Sequence, residues 1–561
     1  MYITIIIICV FIIYFIYYIY KKKQDLFISI NNNFGKKPEN FNEDFNMSFV
    51  KQYYETRIKH EGNSESIDKL TWNDLDMDSV FKRTNYTSTT LGEAYLYYKY
   101  KQVHYDKDEI TSLEKLINIF MKNKQLRNNV KMNLLKIGKM NNESLIDFIY
   151  EPAFAAIKGY FKYPLMKLLL LFAIIMIPLK TGIGIGFMVL CLAINALLYH
   201  STKRYLGNNI NVMIYVLNNI TALIRLSKIK DKDFEEVKRK IESLLNDFHY
   251  AKRAKIYGIK LSISNSYGVI SDLAFFMEYI KMFFMLDITT YQKAAKILEK
   301  NKDKLFHIYD LISQIDLSIS IAYYRASLDQ YAVPEFTESD ELELIDAYHP
   351  LIDNAVKNSI FINNNIIFTG SNASGKSTFI KAVALNCIMA QSLNTALCSR
   401  YRGKFSKVIT SMAIKDNVLS GESYFIAEIK SLKRLIDSLG SNIHTMVFID
   451  EILKGTNTIE RIAASASILN YASKYNNAKV LVATHDLELT KIIDKNYINY
   501  HFEETVTDDG VFFDYKLKNG VSKTRNAIKL LKTFKFDDNI VSMAEDLSHN
   551  FINNNEWNKI V

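Results

Sequence analysis

The sequence predicts a chain of mixed class: an α/β domain on a mostly parallel sheet, an all-α region ahead of it, and transmembrane helices. Three observations predict it. Beyond Glu341 short β-rich runs (IIFT, KVIT, HTMVFID, KVLVAT) alternate with helical stretches, which indicates parallel strands covered on both sides. Over residues 70–151 and 208–331 apolar residues recur at three- and four-residue intervals, as in LGEAYLYYKYKQV and EITSLEKLINIFMKN. Residues 2–20 and 165–199 are apolar almost throughout.

The N-terminal run comes first. Residues 2–20 give about 19 positions, enough for a hydrocarbon core of roughly 30 Å at 1.5 Å per residue. Lys21-Lys22-Lys23 follow at once. A cleaved signal carries its charges ahead of the apolar run and a small-residue site behind it, so the reversed order here reads as a retained anchor with its lysines inside. Residues 24–69 are polar and Asn-rich, and read as a linker with some helix.

The second apolar block is interrupted by Pro178, Lys180 and Gly182. Its second half, 182–199, is long enough to span. The first half, 165–179, covers only about 22 Å unless 160–167 extends it, with Lys162 and Lys167 snorkelling. Lys158, Lys162, Lys203 and Arg204 flank both ends, so a hairpin entering and leaving on one side is expected, with everything from Lys203 onward in the cytosol. The alternative is a helical hairpin buried in a soluble core. Residues 208–331 continue as helix, and KIKDKDFEEVKRK reads as a solvated face. The resulting division is an anchor 1–20, linker 21–69, helical region 70–158, apolar hairpin 159–202, helical region 203–340, α/β domain 341–535 and helical tail 536–561.

Composition is consistent with a folded chain. At 561 residues three or four units are expected, and the 23% of charged residues is ordinary. The net charge of +10 permits an acidic partner, nucleic acid or anionic lipid, without choosing between them. Cys9, Cys191, Cys387 and Cys398 have no metal-ligand spacing and read as reduced, apolar residues.

The chemistry concentrates in the α/β domain. Directly after Ile366-Ile367-Phe368 runs GSNASGKS, residues 370–377, which fits G-x-x-x-x-G-K-[ST], a phosphate-binding P-loop following a strand. Gly370 and Gly375 let backbone N–H groups of Ser371, Asn372, Ala373 and Ser374 wrap a phosphate without a Cβ in the way. Lys376 can reach β/γ-phosphates, Ser377 offers a hydroxyl to Mg²⁺, and Thr378 opens a helix whose positive N-terminus faces the anion. The strand MVFIDE ends in Asp450 and Glu451, placed to hold Mg²⁺ and to polarise an attacking water. VLVAT delivers His485, a candidate γ-phosphate sensor. Between them DNVLSGESYFIAEI presents Ser420 and Ser423 at a helix start, as an anion site or simply an N-cap.

TGSNASGKST, SGESYFIAE, FIDEILKGTNT and ATHDLELT, in this order, resemble the ATPase domain of the MutS mismatch-repair family, within the ABC class. Asn372, the turn Gly455 to Thr458, Thr484-His485 and His349-Pro350 are the more specific points. DMDSVFKRTNYTSTTLGEAYLYYKY, from Asp76, is similar to the start of that family's helical lever domain. The resemblance covers roughly residues 70–150 and 208–540. It implies an α/β P-loop ATPase domain joined to an all-α lever domain. It further implies that Lys376, Ser377 and Asp450 bind ATP with Mg²⁺, that Glu451 activates water, that His485 is a switch, and that Ser423 acts in trans across a homodimer.

Departures bear on function. Phe41-Asn42-Glu43 fits the family's Phe-x-Glu mismatch wedge, but only a short polar stretch surrounds it, too small for a domain of about a hundred residues. Tyr424 replaces a Thr in the signature, and the apolar spans are foreign to the repair enzymes. The expectation is therefore a membrane-anchored MutS-like ATPase that engages DNA through helical levers. The alternative is a mechanochemical ATPase acting on a protein or membrane partner. An ABC transporter subunit, suggested by Leu419-Ser420-Gly421, needs more spans and a following Gly-Gln where this chain has Glu-Ser.

Overall fold

The computed structural model describes residues 2–38, 47–62, 65–103, 106–140, 144–150, 152, 154–155, 157, 159–248, 250–262, 271–371, 374–412, 424–493, 495–507, 510–522, 527–554 and 557. The chain divides into two compact units, one of residues 1–63, 84–98 and 108–327, the other of 64–83, 99–107 and 328–561.

The first unit is helical. The apolar run continues without a break into residues read from sequence as linker: one helix, Tyr2–Asn32, carries both. Its C-terminal part is tied down, with Ile30 buried and its carbonyl accepting from Tyr323 Oη at 2.9 Å. Helix Lys302–Ala326 supplies much of the core, its residues Ile308, Ile312, Ile315 and Ile319 fully buried. It also delivers Asp316, whose buried carboxylate accepts from the backbone N–H of Ser88 and Thr89 (3.0 and 2.8 Å) and the Thr89 hydroxyl (2.7 Å). That carboxylate caps the helix Thr90–Lys101 from a distant part of the chain.

The apolar block forms two packed helices, Lys162–Met176 and Thr181–Leu206, joined where Gly184 approaches the Ile177 backbone so closely that a Cβ would lie 2.7 Å from its nitrogen. One side packs on helix Ser271–Phe284, where Asn195 Nδ2 donates to the Phe283 carbonyl (2.7 Å) and Lys203 pairs with Glu278 (2.6 Å). The other side leaves Leu168, Phe172, Ile175, Leu179, Ile183, Val189 and Leu197 exposed, Leu179 and Leu197 by more than 70%. Among the described residues, Thr181–Leu206 is the one helix long and apolar enough to cross a membrane. Helix Lys162–Met176, at 15 residues, is shorter than a span requires.

The second unit holds β1 Glu335–Phe336, β2 Leu342–Ala347, β3 Asn358–Ile362, β4 Asn365–Thr369, β5 Arg400–Gly403, β6 Lys407–Ser411, β7 Thr445–Asp450, β8 Ala478–Ala483, β9 Tyr497–His501, β10 Glu504–Thr507, β11 Gly510–Phe513 and β12 Lys518–Asn519. Six form one sheet in the order β12-β9-β4-β8-β7-β6, parallel throughout except where β12 meets β9. β4 is buried at every position and β7 at every position but its last, as strands covered on both faces must be. Ile367, Val447, Val480 and Val482 pack with Leu435 and Leu469 of the covering helices Tyr424–Ser438 and Thr458–Ala472. A second sheet, β1-β5-β2-β3, and the hairpin β10-β11 were not separated in the sequence reading.

Residues 65–69, read as the end of the linker, and 70–83, expected to open the helical region, lie in this unit and close the free edge of β6. Thr410 N donates to Thr71 Oγ1 (3.1 Å), while Thr410 Oγ1 and Met412 N donate to Asp74 Oδ2 (2.7 and 3.0 Å). Asp68 caps helix Lys69–Asp74 and pairs with Arg434. Side-chain bonds thus satisfy an edge that would otherwise be open to strand pairing.

Candidate functional site

Three neighbouring strands, β4, β8 and β7, end side by side, and the residues singled out in the sequence follow each of them. The loop after β4 turns at Gly370, φ +135°, where a Cβ would lie 2.3 Å from the Phe502 carbonyl oxygen, and again at Gly375, φ +104°. Both conformations are open to glycine and strained for other residues. Lys376 begins helix Lys376–Leu393, so the N–H groups of its first turn face the loop.

Lys376 is 2% exposed, and its Nζ donates to the carbonyls of Gly370 and Ser371, 2.6 Å each. Burial lowers its pKa to about 8, against the pull of Glu451 and Asp450, which favours the cation. Ser374 Oγ donates to the Ser371 carbonyl (2.7 Å), and Ser371 Oγ donates to Glu504 Oε2 (2.7 Å). Ser377 is half-buried and Thr378 exposed at the helix start. Asn372, Ala373 and Ser423 lie outside the described residues, as does Phe41-Asn42-Glu43.

Glu451 takes φ +61°, and its N–H donates to the Ala483 carbonyl at 2.9 Å. Its carboxylate lies 3.0 Å from His485 Nε2 and 2.9 Å from Lys454 Nζ. Burial pushes its pKa up, but the hydrogen bonds from His485 and Lys454 outweigh that and hold it at about 2. In this arrangement the Glu451 carboxylate is a weak base. To accept a proton from water it has to loosen its contact with Lys454.

His485 is held in place from behind. Thr484 N donates to the Phe368 carbonyl (2.9 Å), Asp486 N donates to Thr484 Oγ1 (3.0 Å), and Arg461 grips the Asp486 carboxylate with two bonds of 2.9 and 2.7 Å. Asn457, in the Gly455–Thr458 turn, caps helix Thr458–Ala472 by accepting from Glu460 N at 3.0 Å. Gly455 faces Phe425 with room for nothing larger than a tight Cβ. Glu428, buried within the SGESYFIAE segment, accepts from Lys454 N at 3.2 Å. His349 is kept neutral, its pKa lowered to about 4 by burial and by Lys381.

Asp450 ends β7 with its Oδ1 buried and, among the described residues, without a hydrogen-bond partner. A lone buried carboxylate oxygen is costly unless a cation or water satisfies it. Mg²⁺ takes oxygen ligands, keeps several waters and needs only one or two carboxylates besides phosphate oxygens. Asp450 and the Ser377 hydroxyl fit that requirement. Among the described residues no cluster of three or more His, Cys, Asp or Glu offers a rival metal site.

The structure therefore brings Lys376, Asp450, Glu451 and His485 to one end of one sheet. Lys454 and Arg461 escaped the sequence reading, which named Asp486 beside His485 but gave it no role. Lys454, three residues after Glu451, was the visible signal; the Arg461–Asp486 pair joins residues whose proximity only the fold creates.

The family model described as MutS domain V matches residues 366–552. Among curated proteins, the DNA mismatch repair protein MutS of Finegoldia magna is 30% identical over 277 residues, covering 47% of this chain and 32% of that protein. That of Thermotoga maritima is 30% identical over 285 residues, 49% of this chain and 35% of that protein. That of Bacillus subtilis is 26% identical over 271 residues, 46% and 31% respectively. The chain thus spans about a third of the length of the curated relatives it matches.

Proposed function

Taking as premise that the chain belongs to the MutS family through its residues 366–552, we propose that it is a Mg²⁺-dependent ATPase, membrane-anchored, which works as a homodimer and engages DNA. The observation that carries the ATPase reading is the convergence of Lys376, Asp450, Glu451 and His485 at the ends of β4, β7 and β8, with one oxygen of Asp450 left for a cation. ATP would lie along the Gly370–Thr378 loop. Mg²⁺, held through Ser377 and Asp450, would draw charge from the phosphates. Lys376 would exchange its two loop carbonyls for phosphate oxygens, while Glu451, relieved of Lys454, would take the proton of the attacking water. His485 bonds Glu451 directly, and so is placed to report the γ-phosphate to the base.

Support for DNA comes from the relatives, which are named as DNA mismatch repair proteins; the net charge of +10 is compatible with it but equally with anionic lipid. Support for the membrane comes from residues 2–20 and from the exposed apolar side of the hairpin, which a soluble core would cover. Ser423, by the family resemblance, would complete the partner's site. The reading is tested by ATP turnover of the full chain in detergent or vesicles, with and without Mg²⁺, homoduplex, mismatched and branched DNA, at stated salt. Mg²⁺-dependent turnover raised by one of these DNAs is expected. Turnover indifferent to all of them, with no DNA retained, would remove the DNA role and leave the ATPase. Mixing Ser423→Ala with Lys376→Ala subunits is expected to restore at most one of two sites; a monomer hydrolysing at full rate would contradict the pairing.

A further inference from the structure

Within the helical unit, five cations gather at one end. Helix Tyr2–Asn32 packs on helix Lys124–Leu135. Near its C-terminus Phe34 lies under the Arg127 guanidinium, 3.5 Å from the ring centroid, beside the start of the second helix. The two run antiparallel, and Lys23 comes level with Lys136, the residue that closes Lys124–Leu135. Helix Asn209–Leu226 packs on Lys124–Leu135 and ends at the same place with Arg225, followed by Lys228. Helix Ala251–Ser262 lies antiparallel to Asn209–Leu226, with Gly258 against Leu217 and Thr221, so Lys255 stands one turn on, toward Arg225.

Among the described residues no carboxylate pairs with these five side chains. Lys136, exposed but set against neighbouring helices, and the half-buried Lys255 are held below the ordinary lysine value by partial loss of water and then by their basic neighbours, and the half-buried Arg225 is lowered by loss of water. Three of the five, Lys136, Arg225 and Lys228, can be ascribed to helix C-termini, where a cation is favourable. Lys23 and Lys255 lie inside their helices, and that account does not reach them. Cations brought together without acidic partners make an anion site.

We propose that Lys23, Lys136, Arg225, Lys228 and Lys255 form a site for the phosphate-bearing headgroup of an anionic phospholipid. The proposal rests on the membrane reading of residues 2–20. The argument for lipid is continuity. Lys23 belongs to the same unbroken helix as the apolar run, about 4.5 Å of helical rise beyond Tyr20. Tyr14, Tyr17 and Tyr20 are exposed on that helix, the residue type enriched at the bilayer interface. Basic residues directly cytoplasmic of a span meet the negative surface of that leaflet.

The test offers full-chain protein, during detergent removal, an equal mixture of differently labelled phosphatidylcholine vesicles and vesicles containing phosphatidylserine. Preference for the anionic vesicles of roughly tenfold or more is expected, shrinking as salt rises. Lys136→Gln with Lys228→Gln, both exposed positions, should still insert and melt as wild type, but with a tenfold preference abolished, because each cation removed costs about fivefold. Insertion without preference, or a preference the double variant keeps, would overturn the site and leave the membrane reading intact. Failure to insert into either vesicle would overturn both. Inorganic phosphate erasing the preference where chloride of equal ionic strength does not would assign the site to free phosphate. Displacement by duplex DNA would assign it to nucleic acid.

Discussion

Glu451 is held in a left-handed backbone conformation with its carboxylate shared between His485 and Lys454. A non-glycine residue at φ +61° costs energy, of order 1 kcal/mol or more. The conformation aims the carboxylate across β7 toward the neighbouring β8 end and so toward the phosphate loop. Lys454 sets how basic that carboxylate is. Removing a cation raises a carboxylate pKa, so Lys454→Ala should move the acidic limb of the ATPase pH–rate profile upward, read from turnover across the acid range. An unmoved limb would mean that Lys454 has already left Glu451 in the working state. Lys376 gives a second pH dependence. Its pKa is about 8, below the ordinary 10.5, so the Lys376 cation, which the ATPase proposal sets against phosphate, is present below about pH 8 and lost above it. ATP affinity should fall as pH rises through 8, as measured with a fluorescent ATP analogue. In Lys376→Arg, whose guanidinium stays charged, that fall should vanish even if overall affinity drops.

Helix Thr90–Lys101 shows how far an element can depend on residues distant in sequence. Its N-terminus is satisfied by Asp316, and Gly92 lies so near that an added Cβ would stand 2.3 Å from Asp316 Oδ2. Gly92→Ala should destabilise the protein by about 1–3 kcal/mol through that overlap, visible as a lower Tm. Asp316→Ala should cost about as much by leaving the Ser88 and Thr89 N–H groups unmet. An unchanged Tm in both would contradict the capping role. Nothing local in TSTTLGEAYLYY announces this carboxylate. By contrast β4, β6, β7 and β8 were legible, because strands covered on both faces must be continuous apolar runs, and the turns at Gly370 and Gly375 with the helix start at Lys376 were legible because G-x-x-x-x-G-K-[ST] after a strand fixes them by spacing. β9, reading YINYH, alternates with polar residues and carries no such signal, although it pairs with β4 over its whole length. Residues 70–83 read as helix from their periodicity, and much of them is helix. That they close the β6 edge through Thr71 and Asp74 follows from tertiary packing alone.

Across the whole molecule, two kinds of surface have to be reconciled: an α/β unit with the glycine-turned loop after β4 and a helical unit with an apolar hairpin that its own core does not cover. A water-soluble protein rarely leaves Leu168, Ile175, Leu179, Ile183 and Leu197 exposed on one pair of helices. Deleting residues 1–23 should therefore leave the protein membrane-bound after carbonate washing, retained by the hairpin. Release of the shortened chain would mean that the hairpin does not insert, and release of the full chain would defeat the membrane reading. The central claim, that Lys376, Asp450 and Glu451 make one ATP-hydrolysing site, is tested most directly by measuring ATP binding and Mg²⁺-dependent turnover side by side in wild type, Lys376→Ala and Glu451→Gln. Wild type should bind and turn over, Lys376→Ala should do neither, and Glu451→Gln should retain ATP while hydrolysing it at least about a hundredfold more slowly. Full hydrolysis by Glu451→Gln, or undiminished ATP binding by Lys376→Ala, would contradict it.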